Sequence, residues 1–223
     1  DADLVVYERR FQAAVDDAVG QAHRSAKDTV DVARLVSLKS VQKGGEHNAA
    51  NVDPHTWLDP VNMITVTRAI ATKLSAIDPK HATQYAANAA RLTGELKSLD
   101  TAYATGLKTC RTRTIVTSHA AFQYLAARYD LIQVPVAGID PTNEPSPAQL
   151  ADIIKLVRKE KFTTIFTEEL VSPAIARTIA SETGTVTATL DPIEGLSDKT
   201  HDQTYLTLMR KNLATIQKAN SCS

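Results

Sequence analysis

The sequence predicts an α/β fold in which parallel strands are covered by helices. After Cys110 the chain alternates between short segments typical of strands and longer amphipathic segments typical of helices, an order that favours a parallel sheet with helices on both faces. Before Cys110, a helical pattern of about 29 residues runs from Pro79 to Leu107, and at about 1.5 Å per residue it would span roughly 43 Å. A helix of that length could brace two lobes.

Composition limits the classes of function. The 223 residues are 43% hydrophobic and 22% charged, which suits a globular protein of one large or two ordinary domains. Lys plus Arg and Asp plus Glu both number 25, so the formal net charge is zero. Because the sequence has no basic stripe with interleaved aromatic residues, we expect no nucleic acid partner. No apolar run approaches the roughly 18 residues that indicate a membrane span.

The first part of the chain predicts two strands and a helix. The segment Ala2–Tyr7 is apolar with strand character, Phe11–Ala22 follows as a helix, and Val30–Leu35 is typical of a second strand. A complete domain rarely begins inside a strand, so we expect the first lobe to be incomplete at its N-terminus in this sequence. The polar, glycine-containing segment Lys43–Asn51 predicts a surface loop.

A distinctive stretch, VDPHTWLDP, occupies Val52–Pro60. Each Asp-Pro step biases its aspartate towards extended backbone, and Asp59 is a good N-cap for a helix that starts at Pro60 and continues to Ile77. The stretch therefore predicts a short stiff loop that holds the imidazole of His55 in one orientation. A buried histidine beside a core tryptophan is the alternative interpretation.

Four strand–helix pairs are predicted in the second half. The predicted strands are Thr114–Thr117, Ile132–Val136, Thr163–Thr167 and Thr185–Leu190, and the predicted helices are Ala120–Tyr129, Pro147–Glu160, Pro173–Thr183 and Tyr205–Ala219. Ligands of such sheets lie outside the carboxyl ends of the strands. His119 follows the first of these strands, Glu168 and Glu169 follow the third, and Asp191 follows the fourth, so we expect all four at one rim of the sheet.

These positions indicate a metal site. Two neutral imidazoles, His55 and His119, with the carboxylate of Asp191 suit a borderline divalent ion such as zinc. The signal is weak by spacing alone, since the sequence has no HxxxH or CxxC pair. In the alternative interpretation His119 caps a helix and Asp191 makes a turn before Pro192.

Other candidate residues and motifs carry less weight. The remaining histidines lie in polar or charged segments, so we expect their side chains to be exposed to solvent; they are His23, His47, His81 and His201. The absence of GxGxxG, GxxxxGK[ST] and GxSxG motifs leaves phosphate cradling and serine hydrolysis unsupported.

The two cysteines, Cys110 and Cys222, lie far apart in the sequence. We favour a disulfide bond, because a free thiol next to the C-terminus would have little core to occupy. Two unrelated buried thiols stay an alternative. A disulfide would imply an oxidising compartment.

The segments VDPHTWLDPVN, TSHAAFQYLAARY, GIDPTNEPSPAQL and TLDPIEGL, together with the long helix opening on Asp-Pro, resemble the metal-specific solute-binding proteins of ABC importers. The similarity is strongest to the zinc-binding branch and covers nearly the whole chain. It implies two α/β lobes joined by one long helix, with the metal in the cleft between them. On this basis residues 1–78 form part of the N-terminal lobe, 79–108 the linking helix and 109–223 the C-terminal α/β lobe.

The resemblance also implies the ligands. His55 in DPHTW matches a ligand of the first lobe, His119 in TSHAAF matches the second-lobe ligand that is glutamate in many manganese binders, and Asp191 in TLDP matches the terminal acidic position.

This chain departs from the family pattern in two respects. Nothing here matches the further histidine that the family supplies from an early first-lobe loop. The loop before DPHTW, which is long and rich in histidine in many zinc binders, retains only Glu46 and His47.

We therefore expect a periplasmic or cell-surface-anchored protein that captures Zn²⁺ and delivers it to the membrane permease of an ABC importer, as a monomer and without catalysing a reaction. A manganese- or iron-binding protein of the same family is one alternative. A zinc-dependent hydrolase with Glu168 or Glu169 as general base is another. An adhesin or purely structural role on the same fold is the third.

Overall fold

The computed structural model describes residues 2–41, 52–140 and 142–223. The predicted surface loop Lys43–Asn51 lies outside the described residues. The described chain divides into two compact units, and the division falls within one long helix, between Asp100 and Thr101.

The first unit contains a two-stranded parallel sheet. Strand β1 (Val5–Tyr7) pairs with β2 (Thr29–Asp31), and helix α1 (Ala13–Gln21) connects them. The predicted second strand was too long, because a 3₁₀ turn, Val32–Arg34, follows directly after Asp31. The carboxylate of Asp31 pairs with Arg34 three residues later, a spacing that fits a helical turn and not an extended strand.

Two longer helices follow, and the second of them continues into the second unit. Helix α2 (Pro60–Ile77) begins as predicted, with the Asp59 side chain accepting from the backbone N–H of Val61. After a 3₁₀ turn, α3 (Ala82–Gly106) runs for 25 residues, about 38 Å at 1.5 Å per residue. The predicted long helix is thus confirmed. None of the helices in the described ranges, α3 included, has the length and hydropathy that crossing a bilayer requires.

The second unit is a four-stranded parallel sheet with helices between its strands, which confirms the predicted fold class. The strands, in sheet order β4-β3-β5-β6, are β3 (Thr114–Thr117), β4 (Ile132–Pro135), β5 (Thr164–Thr167) and β6 (Val186–Thr189). The helices are α4 (Gln123–Arg128), α5 (Pro147–Glu160), α6 (Ala174–Thr183) and α7 (Tyr205–Asn220). Helix α4 starts later than predicted, since the backbone N–H of Ala120 donates to the carbonyl of Gly138 instead of joining a helix.

The core of the second unit lies between the central strands and the helices that cover them. Val116 of β3 and Ile165 of β5 are buried against Val157 of α5 and Ile179 of α6. These apolar contacts fix the positions of β3 and β5, and so of the residues that follow them.

Cys110 and Cys222 form a disulfide bond, as predicted. It joins the segment after α3 to the end of the chain. Backbone hydrogen bonds from Arg111 to Ser221 and from Ser223 to Thr109 flank the bond on both sides. The last residues are therefore part of the folded second unit.

Candidate metal centre

His55 lies in the loop between Asp53 and Asp59 of the first unit and is buried. Only 1% of His55 is exposed, and its Nδ1 lies 2.7 Å from Oδ1 of Asp53, which also accepts from the His55 backbone N–H at 2.9 Å. A carboxylate at Nδ1 favours the tautomer that carries its proton there and presents the lone pair of Nε2 to a ligand. The imidazole also packs against the ring of Trp57, with centroids 5.3 Å apart.

Neighbouring elements hold this loop in place. The hydroxyl of Thr56 donates to Oε2 of Glu8, directly after β1, at 2.9 Å. The side-chain amide of Asn62, in α2, donates to the Thr56 carbonyl at 3.0 Å. Burial raises the pKa of Glu8 to about 7. The sheet and α2 therefore both position the residue next to His55.

His119 follows β3 in the second unit and is fully buried. Its Nδ1 lies 2.7 Å from Oε1 of Glu168, at the carboxyl end of β5, and its Nε2 lies 3.3 Å from Oε1 of Glu194. The alternative that His119 caps a helix is wrong: Phe122 occupies the N-cap position of α4, and no side chain caps it. The ring is instead held by one carboxylate and faces another.

Charge sets the protonation of His119. Burial lowers its pKa, but the hydrogen bonds and negative charge of Glu168 and Glu194 outweigh that effect and raise it to about 9. In the ion-free protein at neutral pH the ring therefore carries a proton that two carboxylates stabilise. The same negative charge favours a divalent cation that replaces this proton.

Asp191 lies on the same rim, two residues after β6. Its backbone N–H donates to Oδ1 of Asn212 at 2.9 Å, and the Asn212 side chain donates back to its carbonyl at 2.6 Å. Oδ1 accepts from the backbone N–H of Ile193 at 2.8 Å, and Oδ2 is buried with no hydrogen-bond partner among the described residues. Burial raises the pKa of Asp191. Its direct ligation of a metal stays a prediction.

Sequence reasoning missed Glu194, three residues further on in the same segment. Ile193 adopts a φ of 58°, a left-handed conformation that β-branched residues rarely adopt. The Asp191 carboxylate holds this turn, and the next side chain, Glu194, reaches Nε2 of His119. The available signal was a second acidic residue in TLDPIEGL at the carboxyl edge of the sheet.

The other histidines in the described part of the chain do not join these groups. His23, His81 and His201 are exposed, as predicted. His81 pairs with Asp78, and Nδ1 of His201 lies 2.8 Å from the Asp198 carbonyl. His47 lies outside the described residues.

The sequence is similar to a known protein family and to characterised members of it. A family model described as "Zinc-uptake complex component A periplasmic" matches residues 1–219. The zinc-binding lipoprotein AdcA of Streptococcus pneumoniae is 35% identical over 229 residues, covering 98% of this chain and 46% of that protein. The high-affinity zinc uptake system protein ZnuA of Bacillus subtilis is 32% identical over 232 residues, covering 97% of this chain and 72% of that protein. The chain thus spans about half the length of the first of these relatives.

Solved structures show the same fold. The laminin-binding protein Lbp of Streptococcus pyogenes superposes with a TM-score of 0.84 at 36% identity, covering 99% of this chain and 83% of that one. The Zn(II)-bound ZnuA-like domain of Streptococcus pneumoniae AdcA gives a TM-score of 0.80 at 35% identity, covering 99% of this chain and 80% of that one.

Proposed function

We propose that this chain, which belongs to the family of periplasmic zinc-uptake complex A components, captures Zn²⁺ for delivery to an ABC importer. One observation carries the proposal: His119 is fully buried, with Nδ1 held by Glu168 and Nε2 directed at Glu194. Proteins commonly fix a zinc-binding histidine in this way, by a carboxylate on the ring nitrogen that does not bind the metal. His55 has the same support from Asp53.

We propose that His55, His119 and an acidic side chain of the loop after β6 bind the same ion. Asp191 is the acidic ligand that the resemblance implies. The 3.3 Å approach of Glu194 to Nε2 of His119 favours Glu194 as a ligand as well. In this proposal Asp191 also shapes the turn at Ile193 that presents Glu194.

The ligand chemistry favours zinc over manganese. Two imidazoles are softer donors than the carboxylates that suit Mn²⁺, and they match the nitrogen ligands of tetrahedral zinc sites. A zinc relative with a solved Zn(II)-bound structure shares 35% of its residues with this chain. Competition between Zn²⁺ and Mn²⁺ in a tryptophan fluorescence titration separates the two metals, since Trp57 packs against His55.

The remaining features concern location and partner. The Cys110–Cys222 disulfide bond fits an oxidising compartment, and we propose a periplasmic or cell-surface-anchored protein. We propose that it acts as a monomer, in which residues 79–108 link an N-terminal lobe, 1–78, to a C-terminal lobe, 109–223. We also propose that it catalyses no reaction on the zinc ion and that its partner is the membrane permease of the importer.

Replacement of His119 by alanine tests the function. We expect His119→Ala to weaken Zn²⁺ binding at least about a hundredfold, because it removes a buried ligand and the imidazole that Glu168 and Glu194 contact. Isothermal titration calorimetry on the purified protein measures this. His201→Ala, which changes an exposed histidine of the same unit, is the matched control. Equal affinities for the His119→Ala variant and the unsubstituted protein would refute the proposed site.

A further inference from the structure

The second unit carries a groove beside its open sheet edge. Strand β6 is the last strand of the sheet in the described part of the chain. A cavity of about 550 Å³ lies between β6 and α7, and its walls include Thr187, Thr189, Lys211 and Lys218. Its size falls within the range of binding clefts in proteins, roughly 300–1,000 Å³. We call this cavity the β6–α7 groove.

Backbone groups of β6 face the open edge. The N–H groups of Val186 and Leu190 donate to the carbonyls of Thr163 and Thr167 in β5. Because alternate residues of a strand bond to the same neighbour, the intervening residues Thr187 and Thr189 direct their peptide groups away from β5. Both residues are exposed, and Val186 is 63% exposed. An edge of this kind is a template for another strand.

The helix wall of the groove adds positive charge. Lys211 and Lys218 are seven residues apart on α7, so both lie on one face, about 10 Å apart along the axis. The hydroxyl of Thr163 donates to the Ala219 carbonyl, which sets Lys218 at the amino end of β6. Glu169 and Asp191 line the same groove. Each lies two residues after the carboxyl end of its strand, β5 for Glu169 and β6 for Asp191, so these carboxylates lie at the other end of the groove.

We propose that the β6–α7 groove binds an extended acidic segment of a partner protein, which adds to the sheet as a strand beside β6. Hydrogen bonds to Thr187 and Thr189 supply sequence-independent affinity, and alternate side chains of the added strand face α7. Acidic residues at these alternate positions meet Lys211 and Lys218. The carboxylates of Glu169 and Asp191 disfavour acidic residues at the carboxyl end of β6, so the strongest contact is with Lys218. Asp191, the proposed acidic metal ligand, lines the carboxyl end of the same groove.

A pair of synthetic peptides tests the proposal on the full chain. One is a short blocked peptide of alternating threonine and glutamate with a fluorescent label, and the other has lysine in place of glutamate. We expect the glutamate peptide to bind at least about tenfold more tightly, because its charge complements α7. In the presence of the glutamate peptide, amide hydrogen exchange of Thr187 and Thr189 should slow.

Two variants separate the backbone and charge contributions. Thr187→Pro removes an N–H that β5 does not use, so the sheet should persist while affinity for the glutamate peptide falls about tenfold. The double variant Lys211→Glu/Lys218→Glu should prefer the lysine peptide. Lys155→Glu/Lys159→Glu makes the same charge change on α5 and should keep the original preference. Circular dichroism melting verifies that each variant is folded.

Several results would overturn the proposal. They are no binding of either peptide, equal binding of both, and affinity that Thr187→Pro leaves unchanged in a folded protein. The chain without peptide could also self-associate, and Thr187→Pro could abolish that self-association. This result would show that a second copy of the chain occupies the groove, and it would also overturn the proposal.

Discussion

At the level of single residues, His119 connects the loops that follow three strands of the second unit. Its ring is held by Glu168 after β5 and faces Glu194 after β6. Three loops that leave one edge of a parallel sheet therefore converge on one imidazole, as expected for ligand sites in this fold class.

The raised pKa of His119 predicts how stability depends on pH. In the ion-free protein its pKa is about 9, above the ordinary value of 6.5. The folded state therefore binds the proton more tightly, and this contribution to stability is fully present below pH 6.5 and is lost as the pH rises through 9. Urea unfolding of the ion-free protein at a series of pH values measures it.

The affinity for Zn²⁺ should show the opposite pH dependence. Because the ion replaces the proton on His119, the affinity should rise as the pH rises towards 9. His119→Gln removes the titrating group and should flatten the stability profile of the ion-free protein. A profile that falls equally steeply in His119→Gln would assign the effect to another residue.

Glu168 is predicted to position His119 and not to bind the metal. We expect Glu168→Gln to weaken Zn²⁺ affinity about 10- to 100-fold, since it loses the charge that orients and polarises the ring. Isothermal titration calorimetry measures the Zn²⁺ affinity of this variant and of the control variant Glu182→Gln, which changes an exposed residue at the end of α6. An affinity loss as large as that of His119→Ala would contradict a purely positioning role.

At the scale of elements, the start of α2 positions His55. Asp59 caps the helix, Pro60 is its first residue, and Asn62 returns a hydrogen bond to the carbonyl of Thr56. The same few residues thus end the loop, begin the helix and brace the imidazole. Local chemistry is sufficient for this, which is why the sequence predicted the helix boundary correctly.

Removal of the cap should be measurable. We expect Asp59→Ala to lower the free energy of unfolding by about 1 kcal/mol, because the N–H of Val61 loses its acceptor. Chemical denaturation followed by circular dichroism gives the value. Asp59→Asn keeps an acceptor oxygen and should retain most of the stability; if the two variants lose stability equally, the cap is not the cause.

At the scale of the whole molecule, the disulfide bond closes a long loop in the second unit. Cys110 and Cys222 are 112 residues apart in the sequence. In the chain-entropy model a crosslink over such a loop stabilises the folded state by up to about 5 kcal/mol. Nearly the entire second unit lies inside this loop.

We therefore expect Cys110→Ser/Cys222→Ser to lower the free energy of unfolding by up to about 5 kcal/mol. Guanidinium denaturation of the variant and of the parent protein measures the difference, and reduction of the parent protein with dithiothreitol should produce a similar loss. Unchanged stability in both experiments would show that the bond contributes little.

Interactions between residues that are neighbours in the chain explain the features that the sequence predicted correctly. Helical periodicity predicted the long helix α3, the Asp-Pro steps predicted the start of α2, and the strand–helix alternation predicted the parallel sheet of the second unit. Family membership, confirmed by the comparisons, followed from short motifs such as DPHTW. The metal ligands His55, His119 and Asp191 stay predictions.

The contacts between side chains that are distant in the sequence could be read from the folded chain alone. His119 and Glu168 are 49 residues apart, and Asp191 and Asn212 are 21 apart, so no local pattern links them. Their contacts depend on the order of the strands and on one left-handed residue, Ile193, which turns Glu194 towards the imidazole. Chain periodicity encodes which face of an element is buried, whereas the packing of the whole sheet sets the partners at its rim.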